Sequence, residues 1–204
     1  MRVVTIIILL LSCAALGHPV SFKGGWEIQS LNRANKFNQT DLTHSLESNF
    51  AIGLSWLQIQ QTQSLLGRLN WLVHRWNNQS SQANLYLSVG QGVEKSLNKE
   101  SGVSLGALEA DWESRHYYTS MKYLSKFHND MPHANLEHLT ARIGFAPYLA
   151  EFDEMSTWYI LQGEKLSGEQ LEVSQVLRFY HRNVLWEVGV SFQGNLLFNF
   201  MLHM

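Results

Sequence analysis

The chain has 204 residues, a formal net charge of −2 and 16% charged residues, well under the roughly 25% of an average soluble domain. Near-neutral charge without a clustered basic surface excludes nucleic acid as a partner class. Three prolines and no low-complexity tract describe one folded unit without a long linker.

The N-terminus reads MRVVTIIILLLSCAALGHPV. Arg2 gives a short basic region, Val3 to Leu11 an apolar core, and Ala15-Leu16-Gly17 a small-x-small cleavage site, so 1–17 is predicted to be a secretory signal peptide and 18–204 the mature domain. A rival reading makes Leu10-Leu11-Ser12-Cys13 a lipobox with a lipid anchor on Cys13, but leucine two residues before the cysteine matches it poorly. Cys13 is the only cysteine, so a mature chain would lack disulfides and must be held by other forces. Nothing after Leu16 approaches the run of about 20 apolar residues that a membrane helix needs. Two options remain: a soluble exported domain, or an outer-membrane barrel.

The period of the pattern separates them, because a strand between lipid and an aqueous lumen alternates strictly over about ten residues. In chain order, strands are predicted near 25–32, 40–48, 50–58, 65–76 and 81–94, where Ala83, Leu85, Leu87 and Val89 oppose Asn84, Tyr86, Ser88 and Gly90. Gly90-Gln91-Gly92 ends that strand without the third glycine or following helix of a dinucleotide site. Next come 104–112 and 115–128, with Tyr117, Met121, Tyr123 and Phe127 against His116, Ser120, Lys122 and Lys126. In 135–147, Leu139, Ala141, Ile143 and Phe145 oppose Thr140, Arg142 and Gly144. Strands at 156–165 and 171–181 follow, the first of undecided parity and the second with Gln175 among its apolar positions. The strand at 184–192 sets Trp186, Val188, Val190 and Phe192 against Glu187, Gly189 and Ser191. Gly194-Asn195 then turns into 195–204.

The fold class predicted is all-β: an antiparallel up-and-down transmembrane β-barrel of about 10–12 strands, with even-numbered closure. The stretch LSWLQIQQTQSLLGRLNWLVHRW also fits a helix through 54–76, which would make the chain a soluble periplasmic α+β protein. Against that, seven tryptophans (Trp26, Trp56, Trp71, Trp76, Trp112, Trp158 and Trp186) fall on predicted strands and suit interfacial girdles.

HPVSFKGGW (18–26), RWNNQSSQANLYL (75–87), ADWESR (110–115), ARIGFAPYLAEF (141–152) and EVGVSFQGNLLFNF (187–200) resemble an uncharacterised family of proteobacterial outer-membrane β-barrel proteins, over nearly the full mature length. The resemblance implies the barrel fold and, after signal cleavage, the outer membrane of a Gram-negative bacterium, with its lipid and barrel-assembly machinery as partners. Such barrels commonly end on an aromatic residue read by the insertion machinery. Here the last residue is Met204, on the parity of Phe198 and Phe200, so these three form the expected insertion signal.

The inferred lumen face carries Glu47, Glu109, Asp111 and Glu187 against Arg68, Lys122, Lys126, Arg142 and Arg178. Charges withdrawn from water must be paired, so the mixed signs predict mutual neutralisation; a small polar channel is the functional alternative. The run DWESRHYY gathers Asp111, Glu113, Ser114, Arg115 and His116, which would serve lipid acyl transfer only if nucleophile, base and orienting group meet. Metal has two hooks. Cleavage after Gly17 would expose the amine and imidazole of His18 for copper, and HNDMPHANLEH offers His128, Met131, His133 and His138; imidazole with thioether suits copper. No HExxH or CxxC spacing supports a metal, and no cofactor is otherwise expected. The predicted function is thus a narrow channel or an envelope scaffold without enzymatic activity. Copper binding, a lipid-modifying enzyme and the soluble α+β protein are the alternatives.

Overall fold

In the computed structural model, the described residues are 18–33, 36–59, 61–96, 99–128, 135–151 and 153–204. The predicted leader over 1–17 lies outside them, as do Met131 and His133.

Twelve strands form one closed antiparallel barrel: β1 (Trp26–Arg33), β2 (Phe37–Glu47), β3 (Phe50–Ile59), β4 (Thr62–Asn77), β5 (Ser81–Ser96), β6 (Lys99–Ser114), β7 (Tyr117–His128), β8 (Leu136–Phe145), β9 (Ser156–Leu166), β10 (Glu172–His181), β11 (Val184–Ser191) and β12 (Leu196–His203). Each pairs with its sequence neighbours, and β1 pairs with β12 from Glu27↔His203 to Arg33↔Leu197. The seam is extended at one rim, where Trp26 N–H donates to the Met204 carbonyl and Met204 N–H to that of Trp26, both at 2.8 Å. That rim is the termini end; the β1–β2 turn marks the far end. Both predicted limits, ten strands and twelve, are resolved at twelve. The alternative helix through 54–76 is replaced by β3 and β4, a hairpin registered from Phe50↔Trp71 to Ile59↔Thr62.

Alternation decides which face is wet. Ile52, Leu54 and Trp56 on β3, Leu65, Leu69 and Trp71 on β4, Leu87 and Val89 on β5, and Trp186, Val188 and Val190 on β11 all point outward and are exposed. A bulge between Leu72 and His74 resets the parity of β4, so Trp76 also faces out. An apolar belt around a whole soluble monomer would be an aggregation surface. On a closed cylinder without strand edges it is the lipid face of a membrane-spanning barrel. Placing Val188→Arg at mid-strand on that face is therefore expected to cost about 2–4 kcal/mol, read as a lowered urea midpoint of the refolded barrel in lipid. An unchanged midpoint would show that this face does not meet hydrocarbon.

Two expectations about faces need correction. Trp158 is no girdle residue: it is 6% exposed and points into the barrel, its indole Nε1–H donating to Ser156 Oγ at 3.0 Å. The inward parity of β9 that sequence left open is Trp158, Ile160, Gln162, Glu164 and Leu166. The other six tryptophans face outward. Glu47 is not in the lumen. The register shifts between Ser45 and Glu47, and Glu47 is exposed and paired with Lys23 at 2.7 Å. Gln175 does lie among outward apolar residues, and its amide oxygen is satisfied by the Tyr159 hydroxyl at 2.8 Å.

The interior is divided. At the far end, Phe37, Leu57, Ile59, Leu66, Val103, Leu105, Ala107, Leu124 and Leu166 pack into a dry wedge, mainly against β2–β7. Inward residues of β1 and β7–β12 combine a second apolar cluster, Tyr118, Ala146, Trp158, Ile160, Val176 and Leu197, with polar groups that surround a chamber.

Candidate functional site: a polar chamber inside the barrel

The chamber is built on Glu187, a β11 carboxylate 1% exposed. Its register neighbours are Arg178 on β10 and Asn199 on β12, which donate to it at 2.7 and 2.5 Å. From β8, Arg142 reaches across and donates to both carboxylate oxygens at 2.8 Å. The Arg178 guanidinium lies 4.6 Å from the centre of the Tyr118 ring and that of Arg142 lies 6.0 Å from it, so one aromatic face is shared by two cations. Arg142 Nε has no protein partner. Lys122 is held loosely, 3.4 Å from Glu109.

Charged groups lining this space are Arg33, Lys122, Arg142 and Arg178 against Glu109 and Glu187. Four cations and two carboxylates line it, with Glu164, the partner of Arg33, just behind. The space open to water-sized molecules is about 80 Å³, and each water needs some 10–15 Å³. The chamber holds a few waters and nothing larger in this form.

Toward the far end, contacts cross the lumen rather than follow the ladder. Arg33 on β1 donates to Glu164 on β9 at 2.8 Å and to Asn199 at 2.7 Å. Glu164 also receives Gln162 at 2.9 Å and lies 2.7 Å from His138 Nε2. Phe37 packs on the His138 ring with centroids 4.4 Å apart. Above them, Lys36 in the β1–β2 turn spans the mouth to Glu172 at 2.8 Å and Glu169 at 3.3 Å. The hydrogen bond from Lys36 to Glu172 raises its ammonium above the ordinary range, which keeps that clasp charged. The β1–β2 turn is therefore latched onto β8–β10.

The termini end of the interior is partly filled by the chain itself. Residues ahead of β1 fold back inside, leaving His18 8% and Val20 1% exposed. Val20 packs with Ala51, Leu72 and Tyr86, and the His18 ring stacks on Tyr86 with centroids 5.3 Å apart.

All six predicted lumen residues, Arg68, Glu109, Asp111, Lys122, Arg142 and Glu187, point inward, and they form separate pairs. Arg68 sits 2.9 Å from Asp41, whose other contacts are Ser55 and Gln39 at 2.6 Å. Lys126 belongs to a buried group within the dry wedge, bonded to Glu94, which Ser64 and His128 also approach at 2.6 and 2.5 Å. His18 and His128 stand at opposite ends of the barrel. No group of three or more His, Cys, Asp or Glu among the described residues is placed to hold a metal. The run DWESRHYY is split by the wall. Asp111 and Glu113 turn inward, Arg115 and His116 are exposed, and Ser114 Oγ accepts the N–H groups of His116 and Tyr117 in the turn at 3.3 and 2.9 Å. The serine is a turn cap here, and the acyl-transfer geometry is not assembled. Of the insertion residues, Phe198 and Met204 are exposed outward and Phe200 is half-buried on the same parity.

Sequence reasoning missed Arg33, Glu164 and Asn199. Arg33 lay one residue past the predicted strand, Glu164 in the strand of undecided parity, and their partners are more than a hundred positions away.

No family model matches the sequence, and no curated protein matches it. Among solved structures the fold is similar to that of the KdgM porin, at a TM-score of 0.50 and 11% identity, with 88% of this chain and 97% of that chain covered. The KdgM porin in complex with disordered oligogalacturonate aligns at a TM-score of 0.51, with the same identity and coverage. At that identity the likeness is one of architecture.

Proposed function

We propose that this barrel is a narrow channel of the outer membrane of a Gram-negative bacterium, held closed in the form described, which passes small polar solutes and favours anions. The observation that carries this proposal is the cationic lining of the chamber: Arg33, Lys122, Arg142 and Arg178 outnumber Glu109 and Glu187 there, and still do when Glu164, the partner of Arg33, is counted with them. A low-dielectric wall strengthens such an imbalance, so a mobile anion gains where a cation is repelled. The KdgM porin, whose architecture is similar, has been captured with oligogalacturonate, and that pairing of a barrel of this kind with an anionic solute supports the same sign here.

The purified barrel in planar bilayers is expected to give small, infrequent openings whose reversal potential under a KCl gradient has the sign of anion selectivity. Lys122→Glu should move that potential toward cation selectivity, because it replaces a loosely held cation by a third chamber carboxylate. A cation-selective wild type, or silence that persists when the termini-end mouth is freed, would sink the channel. An envelope scaffold is what such silence would leave.

A further inference from the structure

The segment His18–Ser21 is packed inside the termini end of the barrel against β3–β6, yet it takes no part in the barrel wall. The ladder of β1 begins at Trp26, paired with both β2 and β12, so closure of the cylinder does not require the residues before it. Between arm and wall runs Phe22-Lys23-Gly24-Gly25. Gly24 has φ of 81°, which favours glycine, and both glycines are anchored to β2: Gly24 N–H donates to the Ser45 carbonyl at 2.7 Å and Ser45 N–H to the Gly25 carbonyl at 2.9 Å, so the free part of the arm ends ahead of Gly24. Polar attachment of the arm itself is thin. Ser21 N–H donates to Ser45 Oγ at 2.9 Å, and the two hydroxyls lie 3.2 Å apart.

What holds the arm is a socket. Val20 fills the apolar space between Ala51, Leu72 and Tyr86. The imidazole of His18 covers the Tyr86 ring and stands 3.4 Å from Asp111 Oδ2. The other Asp111 oxygen is satisfied by Asn84 at 2.7 Å, while Oδ2 and both His18 ring nitrogens lack a hydrogen-bond partner. The socket thus engages the arm by apolar contact and a loose electrostatic one, not by a locked network. On β6 the chamber's lining ends at Glu109, and the next inward residue, Asp111, is the one that His18 meets.

We infer that His18–Ser21 is a tethered plug, an internal ligand bound in a socket of Tyr86, Asp111, Leu72 and Ala51, whose release from that socket, pivoting ahead of Gly24, opens the termini-end mouth. The inference rests on the channel proposed above. A free ligand of the same kind, a short peptide with a leading imidazole followed by a small apolar side chain, would compete for that socket.

The test pairs deletion of 18–22 with a reversible lock. Ser21→Cys with Ser45→Cys joins two groups already in contact, and after removal of a leader containing Cys13 no other thiol competes. Both variants are first confirmed as folded by heat-modifiable mobility; Val20→Ser serves if the deletion does not assemble. In planar bilayers the deletion (or Val20→Ser) should raise open probability at least tenfold. The oxidised pair should be silent, and a reductant should restore wild-type openings. If either arm of the test stays at the wild-type level while channels are seen, the plug is overturned and the channel stands. If every variant is silent, the freed barrel included, the channel itself has failed and the plug falls with it.

Discussion

Replacing Glu187 by alanine is expected to cost the barrel about 3–5 kcal/mol, the usual penalty when one partner of a buried ion pair is removed. Three donors converge on this carboxylate: Arg142 at both oxygens, Arg178 and Asn199. Without it, two guanidiniums 4.6 and 6.0 Å from one Tyr118 ring would confront each other with no counter-charge between them. Glu187→Gln keeps the shape and loses the charge, so it should recover little of the deficit. Exchanging Glu187, Arg142 and Arg178 together for apolar residues of similar volume should be far milder, since a desolvated pair is often replaceable. The urea midpoint of the folded barrel in detergent, followed by heat-modifiable mobility, measures all three. A loss below about 1 kcal/mol for Glu187→Ala would mean that the chamber is wet enough to solvate free arginines.

Gly92→Ala is expected to prevent assembly, and Gly92→Val to do so completely. A Cβ at this inward position of β5 would stand 1.9 Å from the Leu65 carbonyl oxygen and 2.7 Å from Leu66 Cα. These are backbone atoms of the adjacent strand, so relief requires β4 and β5 to part. Overpacking that side chains can absorb costs about 1–3 kcal/mol; here nothing flexible is available to yield. Gly106 provides the matched control. It lies on the neighbouring β6, and a Cβ there meets nothing within 4 Å, so Gly106→Ala should stay within about 0.5 kcal/mol of the parent. Equal yields of folded barrel from the two alanine variants would show that the close approach of β4 and β5 is not obligatory.

The glycine result shows where sequence was informative and where it was not. Gly90-Gln91-Gly92 could be set aside as a nucleotide motif from its missing third glycine, but its use in letting two backbones touch depends on the opposing strand. Twelve strands could be placed from two-residue alternation and turn signals, with the count left between ten and twelve and a helix through 54–76 left open, because lipid on one side and lumen on the other impose a binary choice at most positions. Failures occurred where that choice is relaxed. Trp158 reads as a girdle residue until the parity of β9 is known, and Glu47 reads as inward until the register shift at Ser45 is seen. The six inward charges could be named, yet their partners could not. Arg142 and Glu187 meet across two intervening strands, and Arg33 and Glu164 meet across the lumen. Barrel radius and strand tilt decide those meetings, and neither has a local signature.

The seam carries a consequence for biogenesis. β1 finds its second partner only in β12, the last of the twelve strands to be synthesised. A growing chain can form hairpins as they emerge, but it cannot become a cylinder until that final strand arrives, some 170 positions after the first. Contacts so distant in sequence make slow folding steps. Until then the apolar outer residues belong to an open sheet with two free edges, and the cylinder zips shut only when β12 reaches β1.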